Sequence, residues 1–270
     1  MTDPPIDESV RAYWDRGGLT QAIFAALSSF GAPPRSLTID DLAPLDQFHG
    51  GGKAATSRLA RLGGLSPELR VLDVGGGLGG PARTLAVEHG CRVAVVDLAE
   101  SYVRAGASLT ELLRLGDRVT HLAGSALQLP FADATFDVVW TQNSGMNIAD
   151  KVRMVAEFRR VLRRGGRLVF QEPMAGPVQP PWFPVMWAQD ATTSFLSAPA
   201  QMRALLESAD FAVRAWNDVT LETSGGLPTP DGRSIQSIVM GDALPAIAAN
   251  GRRNRDEGRI VMVQAVCDLP

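Results

Sequence analysis

The sequence predicts an α/β fold: a doubly wound, mostly parallel sheet with helices on both faces. Three observations predict it. Short β-branched runs alternate with amphipathic stretches over residues 70–172, a glycine-rich turn closes the first of those runs, and an aspartate closes the second. Strand, helix and strand at this interval imply right-handed crossovers and a parallel sheet covered on both sides.

Taken in order, residues 1–65 read as a helical, loop-rich N-terminal cap, and residues 66–270 as the main domain. Arg70–Val74 is a short apolar run that stops at glycines, as a buried strand does. A helix follows from about Gly79, with Leu85 and Ala86 among its good formers. Residues 92–96 are a second strand, 102–115 a second helix, and 119–122 a third strand. Residues 136–140 are the fourth strand, and a helix is expected over 150–162, where Val152, Met154, Val155, Phe158, Val161 and Leu162 recur at helical spacing. Arg163-Arg164-Gly165-Gly166 is expected to end that helix, cations first and glycine beyond. Residues 167–170 then form the fifth strand.

Composition narrows the function classes. At 270 residues, 45% hydrophobic and 20% charged, the chain can bury a sizeable core. A net charge of −3 gives no basic field for nucleic acid or an anionic membrane, and no apolar run reaches the ~18–20 residues of a membrane span. Asp3, Asp7 and Glu8 occupy the place where a signal peptide carries positive charge. Cys91 and Cys267 lack the paired spacing of a zinc site, so no metal is expected. These features predict a soluble, cytoplasmic, reduced protein.

The sharpest feature is Val71-Leu72-Asp73-Val74-Gly75-Gly76-Gly77-Leu78-Gly79-Gly80, between the first strand and its helix. Such a turn lets backbone approach a ligand closely, at the carboxyl edge of the sheet where open α/β folds bind ligands. Asp97 ends the next strand, twenty positions beyond Gly77, and suits the two hydroxyls of a ribose. Gly75, Gly77 and Gly80 also satisfy G-x-G-x-x-G, the dinucleotide fingerprint. An NAD-linked oxidoreductase and a plain tight turn are therefore alternatives. The former lacks support from a catalytic pair, since the chain has two tyrosines and two lysines in no supporting arrangement.

Asp73-x-Gly75-x-Gly77-x-Gly79 resembles the first motif of class I S-adenosylmethionine-dependent methyltransferases. Three further segments resemble that family in the same order: Gly124-Ser125-Ala126-Leu127-Gln128-Leu129-Pro130-Phe131, Phe136-Asp137-Val138-Val139-Trp140, and Val161-Leu162-Arg163-Arg164-Gly165-Gly166-Arg167-Leu168. Asp46 to Gly52, residues 190–206 and 257–264 look like the branch containing sarcosine and dimethylglycine N-methyltransferases. The resemblance implies a seven-stranded, Rossmann-like sheet whose last strand is antiparallel, with 211–221 and 259–266 as the added strands, and a lid at about 173–205. It implies S-adenosylmethionine held by Gly75, Gly77 and Gly79 at its amino-acid end, Asp97 at its ribose, and Leu98, Ser125 and Ala126 around its adenine. Ser125 departs from the acidic residue usual there.

Gln142 and Asn143 are expected beside the transferred methyl group, and Asn147 stands where many relatives have histidine. Glu172 at the end of the fifth strand and Trp182 in a proline-rich segment are candidates for the acceptor. His49, ahead of three glycines, is the candidate base; His89 and His121 read as structural. Scarce bases favour methyl transfer to an amine nitrogen, with O- or C-methylation, or a non-catalytic binding relative, as alternatives.

Overall fold

The computed structural model describes residues 6–15, 17–29, 37–223 and 234–270. Seven strands form one sheet: β1 (Arg70–Val74), β2 (Arg92–Asp97), β3 (Val119–Ala123), β4 (Phe136–Gln142), β5 (Leu162–Ala175), β6 (Ala212–Asp218) and β7 (Ile260–Asp268). Their order is β3-β2-β1-β4-β5-β7-β6. β7 runs antiparallel to both neighbours, and the other pairings are parallel. The winding direction reverses between β1 and β4, so the carboxyl ends of β1, β2 and β4 open a crevice at that point.

The pleat sorts the core. Leu72 and Val74 of β1 face one layer with Val139, Phe158, Phe170 and Leu206, while Val71 faces the other with Leu59, Leu85, Val95 and Trp140. The first layer is roofed by α7 (Lys151–Val161) and α8 (Pro199–Ser208), the second by α4 (Gly52–Gly63) and α5 (Gly80–His89). A separate cluster joins α2 (Leu19–Ser29), α3 (Ile39–Asp46), α6 (Glu100–Leu112) and α9 (Ile235–Met240) through Ile23, Leu42, Leu109 and Val239. The remaining helices are α1 (Ile6–Trp14) and α10 (Leu244–Asp256). No helix among the described residues is long and apolar enough to cross a membrane.

One local expectation is corrected. The helix α7 stops at Val161, and Leu162 already has extended backbone. The cations of its last turn are Arg159 and Arg160. Arg163-Arg164-Gly165-Gly166 instead bulges the entry into β5, where pairing with β4 shifts between Phe136 and Val138 and Gly165 takes φ +74. The fifth strand is consequently fourteen residues long.

Of residues 173–205, the first three complete β5 and the last seven lie in α8. The connection between them packs Val185, Trp187 and Ala188 on Met146, with Trp14, Phe183 and Ile260 alongside.

Candidate active site

A cavity of about 810 Å³ occupies the crevice. Its floor is the turn after β1. Gly75 has φ +67 and Gly77 φ +54, and a Cβ on Gly75 would overlap Ser144. A Cβ on Gly76 would lie 2.6 Å from the Asp73 carboxylate. Side chains are thus excluded where the backbone meets the cavity. Asp73 lies beneath this turn, 1% exposed, and neither carboxylate oxygen has a hydrogen-bond partner among the described residues. Burial, then the negative charge of Asp97, pushes its carboxyl up to about 8. A buried acceptor with nothing to accept from is costly, and a cationic ligand group in the cavity would relieve it.

Asp97 is held for use. Its Oδ2 accepts from the Gly77 N–H and its Oδ1 from the Ala99 N–H, both at 2.9 Å, which fixes the carboxylate and leaves each oxygen further lone pairs. Burial raises its pKa. Leu98, Ser125 and Ala126 line the adjoining wall. The Ser125 hydroxyl donates to Asp7 Oδ2 at 3.2 Å and accepts from the Leu127 N–H. The helix α1 thereby brings a carboxylate to the place where residue 125 lacks one.

His49 and Gln142 also line the cavity, within one buried network. Gln47 Nε2 donates to Thr84 Oγ1, and its Oε1 lies 2.9 Å from His49 Nε2 and 3.1 Å from the Thr56 hydroxyl. Thr56 Oγ1 is also 3.1 Å from Gln142 Oε1, and His49 Nδ1 lies 3.2 Å from Gln142 Nε2 and 3.3 Å from Gly50 O. Both ring nitrogens are engaged, and burial pushes the imidazole down to about 4. The ring is neutral at pH 7 with no lone pair to offer a substrate.

Asn143 lines the cavity in left-handed backbone, φ 57, its N–H donating to Gln171 O. Asn147 lines it too, but its amide is spent. It accepts from Trp14 Nε1 at 3.1 Å and donates to Trp187 O and Thr193 O. It therefore ties α1 to the 176–198 connection. Tyr13 repeats that tie by donating to Met186 O.

Three expected residues lie elsewhere. Gly79 caps α5 at φ +76, and a Cβ there would meet the His121 ring, not the cavity. Glu172 is turned under the cavity floor, accepting from Thr141 Oγ1 and from the Ser144 and Gly145 N–H groups. Trp182 is 38% exposed on the outside, with the Arg253 guanidinium 3.6 Å over its ring and its Nε1 donating to Glu257. Conversely, Asp7 and Arg58 line the cavity although nothing in their spacing marked them, and so do Trp14 and Trp187, aromatics of the N-terminal cap and the proline-rich segment. Asp73 stood inside the glycine motif and was legible as its first residue.

The start of α5 is covered by α3: Asp46 backbone and carboxylate crowd the position a Gly80 Cβ would take.

Comparison with known proteins bears on the domain family and the fold. The methyltransferase domain family matches residues 72–170. A glycine/sarcosine/dimethylglycine N-methyltransferase of Actinopolyspora halophila is 36% identical over 132 residues, 49% of this chain and 23% of that protein. This chain thus spans about a quarter of that relative's length. Among solved structures, a geranyl diphosphate C-methyltransferase from Streptomyces coelicolor superposes with TM-score 0.73 at 21% identity, covering 99% of this chain and 98% of that one. The [4+2]-cyclase SpnF superposes with TM-score 0.72 at 20% identity, covering 100% and 98%. At such identity the structural likeness is one of fold.

Proposed function

We propose that the protein transfers a methyl group from S-adenosylmethionine to a small molecule, a reading supported by the match of residues 72–170 to the methyltransferase domain family. The unpartnered Asp73 carboxylate beneath the glycine turn carries this reading, because the ligand it calls for has a cation at that point. When bound, the cofactor supplies a methyl group already activated for in-line displacement. Asp73 would face its ammonium, the Gly75–Gly77 backbone its amino-acid end, and Asp97 its ribose hydroxyls. Leu98 and Ala126 would pack on its adenine, with Asp7 accepting from the adenine amino group beside Ser125.

Aligning nucleophile and methyl group can supply roughly 7–11 kcal/mol, so no catalytic dyad is required. Asn143 borders the reacting centre, while His49 and Gln142 stiffen its wall. Their saturated hydrogen bonding favours an acceptor that needs no base from the protein, an amine arriving unprotonated. Helix α1 and the 176–198 connection close over the acceptor, joined through Asn147 and Tyr13.

Incubation with methyl-labelled S-adenosylmethionine and panels of amines, phenols and carbon nucleophiles tests this. S-adenosylhomocysteine and labelled amine are expected. Label only on unactivated hydroxyls would overturn the amine reading. Cofactor binding without turnover of any panel would overturn the transferase reading in favour of a binding module.

A further inference from the structure

Two inward-turned charges beneath the cavity have no part in lining it. Lys151 is the first residue of α7, and Glu172 lies near the end of β5. The turn 143–148 sits between them. It follows β4 and places Asn143, Ser144, Met146, Asn147 and Ile148 on the cavity wall.

Beyond Asn143 the turn leaves the sheet, and these two side chains take up peptide groups that no strand pairs. The Ser144 and Gly145 N–H groups donate to the Glu172 carboxylate at 3.2 and 3.0 Å. On the carbonyl side, the Lys151 ammonium donates to Gly145 O at 2.8 Å and to Ile148 O. Its third hydrogen goes to Phe195 O at 2.7 Å, and the Phe195 N–H returns to Met146 O at 2.7 Å. The lysine's whole donor capacity is thus spent on carbonyls. Glu172 fits as closely: a Cβ on Gly145 would lie 3.2 Å from its carboxyl carbon.

The same turn meets the cofactor cradle. Ser144 Oγ donates to Val74 O at 3.1 Å, and the Ser144 side chain is what a Gly75 Cβ would overlap. Asn147 carries α1 and the 176–198 connection on its amide. A shift of this turn therefore moves the wall beside Gly75 and the cover of the cavity together.

Local stability does not account for the two charges. The helix α7 has its own cap, Asp150 accepting from the Arg153 N–H, and a cation in a first turn opposes the helix dipole. Taking charge out of water is costly, and apolar residues fill such space at lower cost. Burial pushes the Lys151 ammonium down to about 8 against the pull of Glu172, so it stays largely charged at pH 7. Burial raises Glu172, and the Gly145 and Ser144 N–H groups oppose that rise. What the pair supplies is direction: an acceptor beneath the turn's N–H groups and a donor beneath its carbonyls leave it one seat.

We propose that Lys151 and Glu172 are positioning residues for the methyl donor, gripping the 143–148 turn from both sides so that Asn143 and Ser144 stand against the bound cofactor. The donor's identity rests on the transferase reading, whereas the grip rests on these hydrogen bonds alone.

The test applies two measurements to the full chain: calorimetric titration with S-adenosylhomocysteine, and amide hydrogen exchange without ligand. In Lys151→Met and in Glu172→Gln, affinity should fall by roughly tenfold or more at a temperature where each variant is folded. Lost global stability does not lower affinity there, because nearly every molecule is in the competent state. Lys151→Arg, which keeps a charged donor, should recover most of the loss. The double variant should lose no more than the weaker-binding single, since both groups act on one turn. In the ligand-free chain, the Ser144, Gly145 and Phe195 amides should speed up in Lys151→Met by a larger factor than the β2 amides, which report global unfolding. Wild-type affinity in the folded variants would overturn the proposal, as would equal acceleration of both amide sets or losses that add in full. Should Lys151→Met not fold, Glu172→Gln, equal in size and keeping one acceptor oxygen, decides by the same readings. No binding of S-adenosylhomocysteine by the wild type would strike the transferase reading, while amide exchange still decides the grip.

Discussion

Asp73 decides how the site responds to pH. Its carboxyl is raised to about 8 by burial and by Asp97, so at pH 7 it is largely protonated before a ligand arrives. A cation placed against it lowers that pKa, so binding releases a proton and tightens as pH rises from about 6 toward 7.5. Above that range the ligand's own α-amino group starts to lose its charge. Calorimetry of S-adenosylhomocysteine in buffers of different ionisation enthalpy should show that release, and Asp73→Asn should abolish it with most of the affinity. Stability of the ligand-free chain runs the opposite way with pH. A carboxyl whose folded pKa lies above its unfolded value contributes stability that is lost as pH rises through the folded value, so Asp73→Asn should flatten that loss in thermal melts between pH 5 and 8. Asp7 makes a second prediction. Asp7→Ala should weaken S-adenosylhomocysteine by about 10–100-fold, the worth of a hydrogen bond to a charged group. Ser125→Asp should restore affinity only in the Asp7→Ala background, since with Asp7 present two carboxylates would crowd one site.

The elements that carry these residues are held by a few buried polar ties. Arg83 of α5 is 0% exposed and donates to Asp46 Oδ2, Leu78 O, Gly106 O and Thr110 Oγ1. It thereby locks α3 to α5 and sets where Gln47 and His49 emerge. Arg83→Met leaves Asp46 buried without its partner and should cost about 3–5 kcal/mol in urea unfolding. Asp15, just after α1, accepts from the Ser101 N–H at the start of α6, where Ala99 offers no cap, and hydrogen bonding with Ser101, its side chain ahead of its backbone, holds the Asp15 pKa below the usual range. Periodicity made β1 to β4 and their helices legible because each buries an apolar face whose spacing repeats. The bulge at Gly165 was not legible, because two arginines and two glycines serve equally to end a helix or to kink a strand. Trp182 misled for a related reason. Aromatics among prolines signal apolar area, but only packing shows that this ring meets Arg253 and Arg259 on the outer surface.

Across the whole molecule, one cavity gathers acids from the strand ends, α1, α3 and the turn holding Glu222, and arginines from α4 and α10. Motif order along the chain made the acidic half legible, since Asp73, the glycines and Asp97 recur at spacings that the β1–β2 geometry requires. Asp7, Arg58 and Arg252 come instead from helices far apart in sequence, and no local pattern connects residues joined only by folding. His49 shows the limit of residue type alone: its loop suggested a base, while Gln47, Thr56 and Gln142 leave it no open nitrogen. The most direct measurement is calorimetric titration of the full chain at pH 7.5 with S-adenosylhomocysteine and, in parallel, NAD. One molecule of S-adenosylhomocysteine should bind per chain, with binding lost in Asp97→Ala and no heat from NAD. Binding of NAD instead, or affinity for S-adenosylhomocysteine undiminished in Asp97→Ala, would contradict the account.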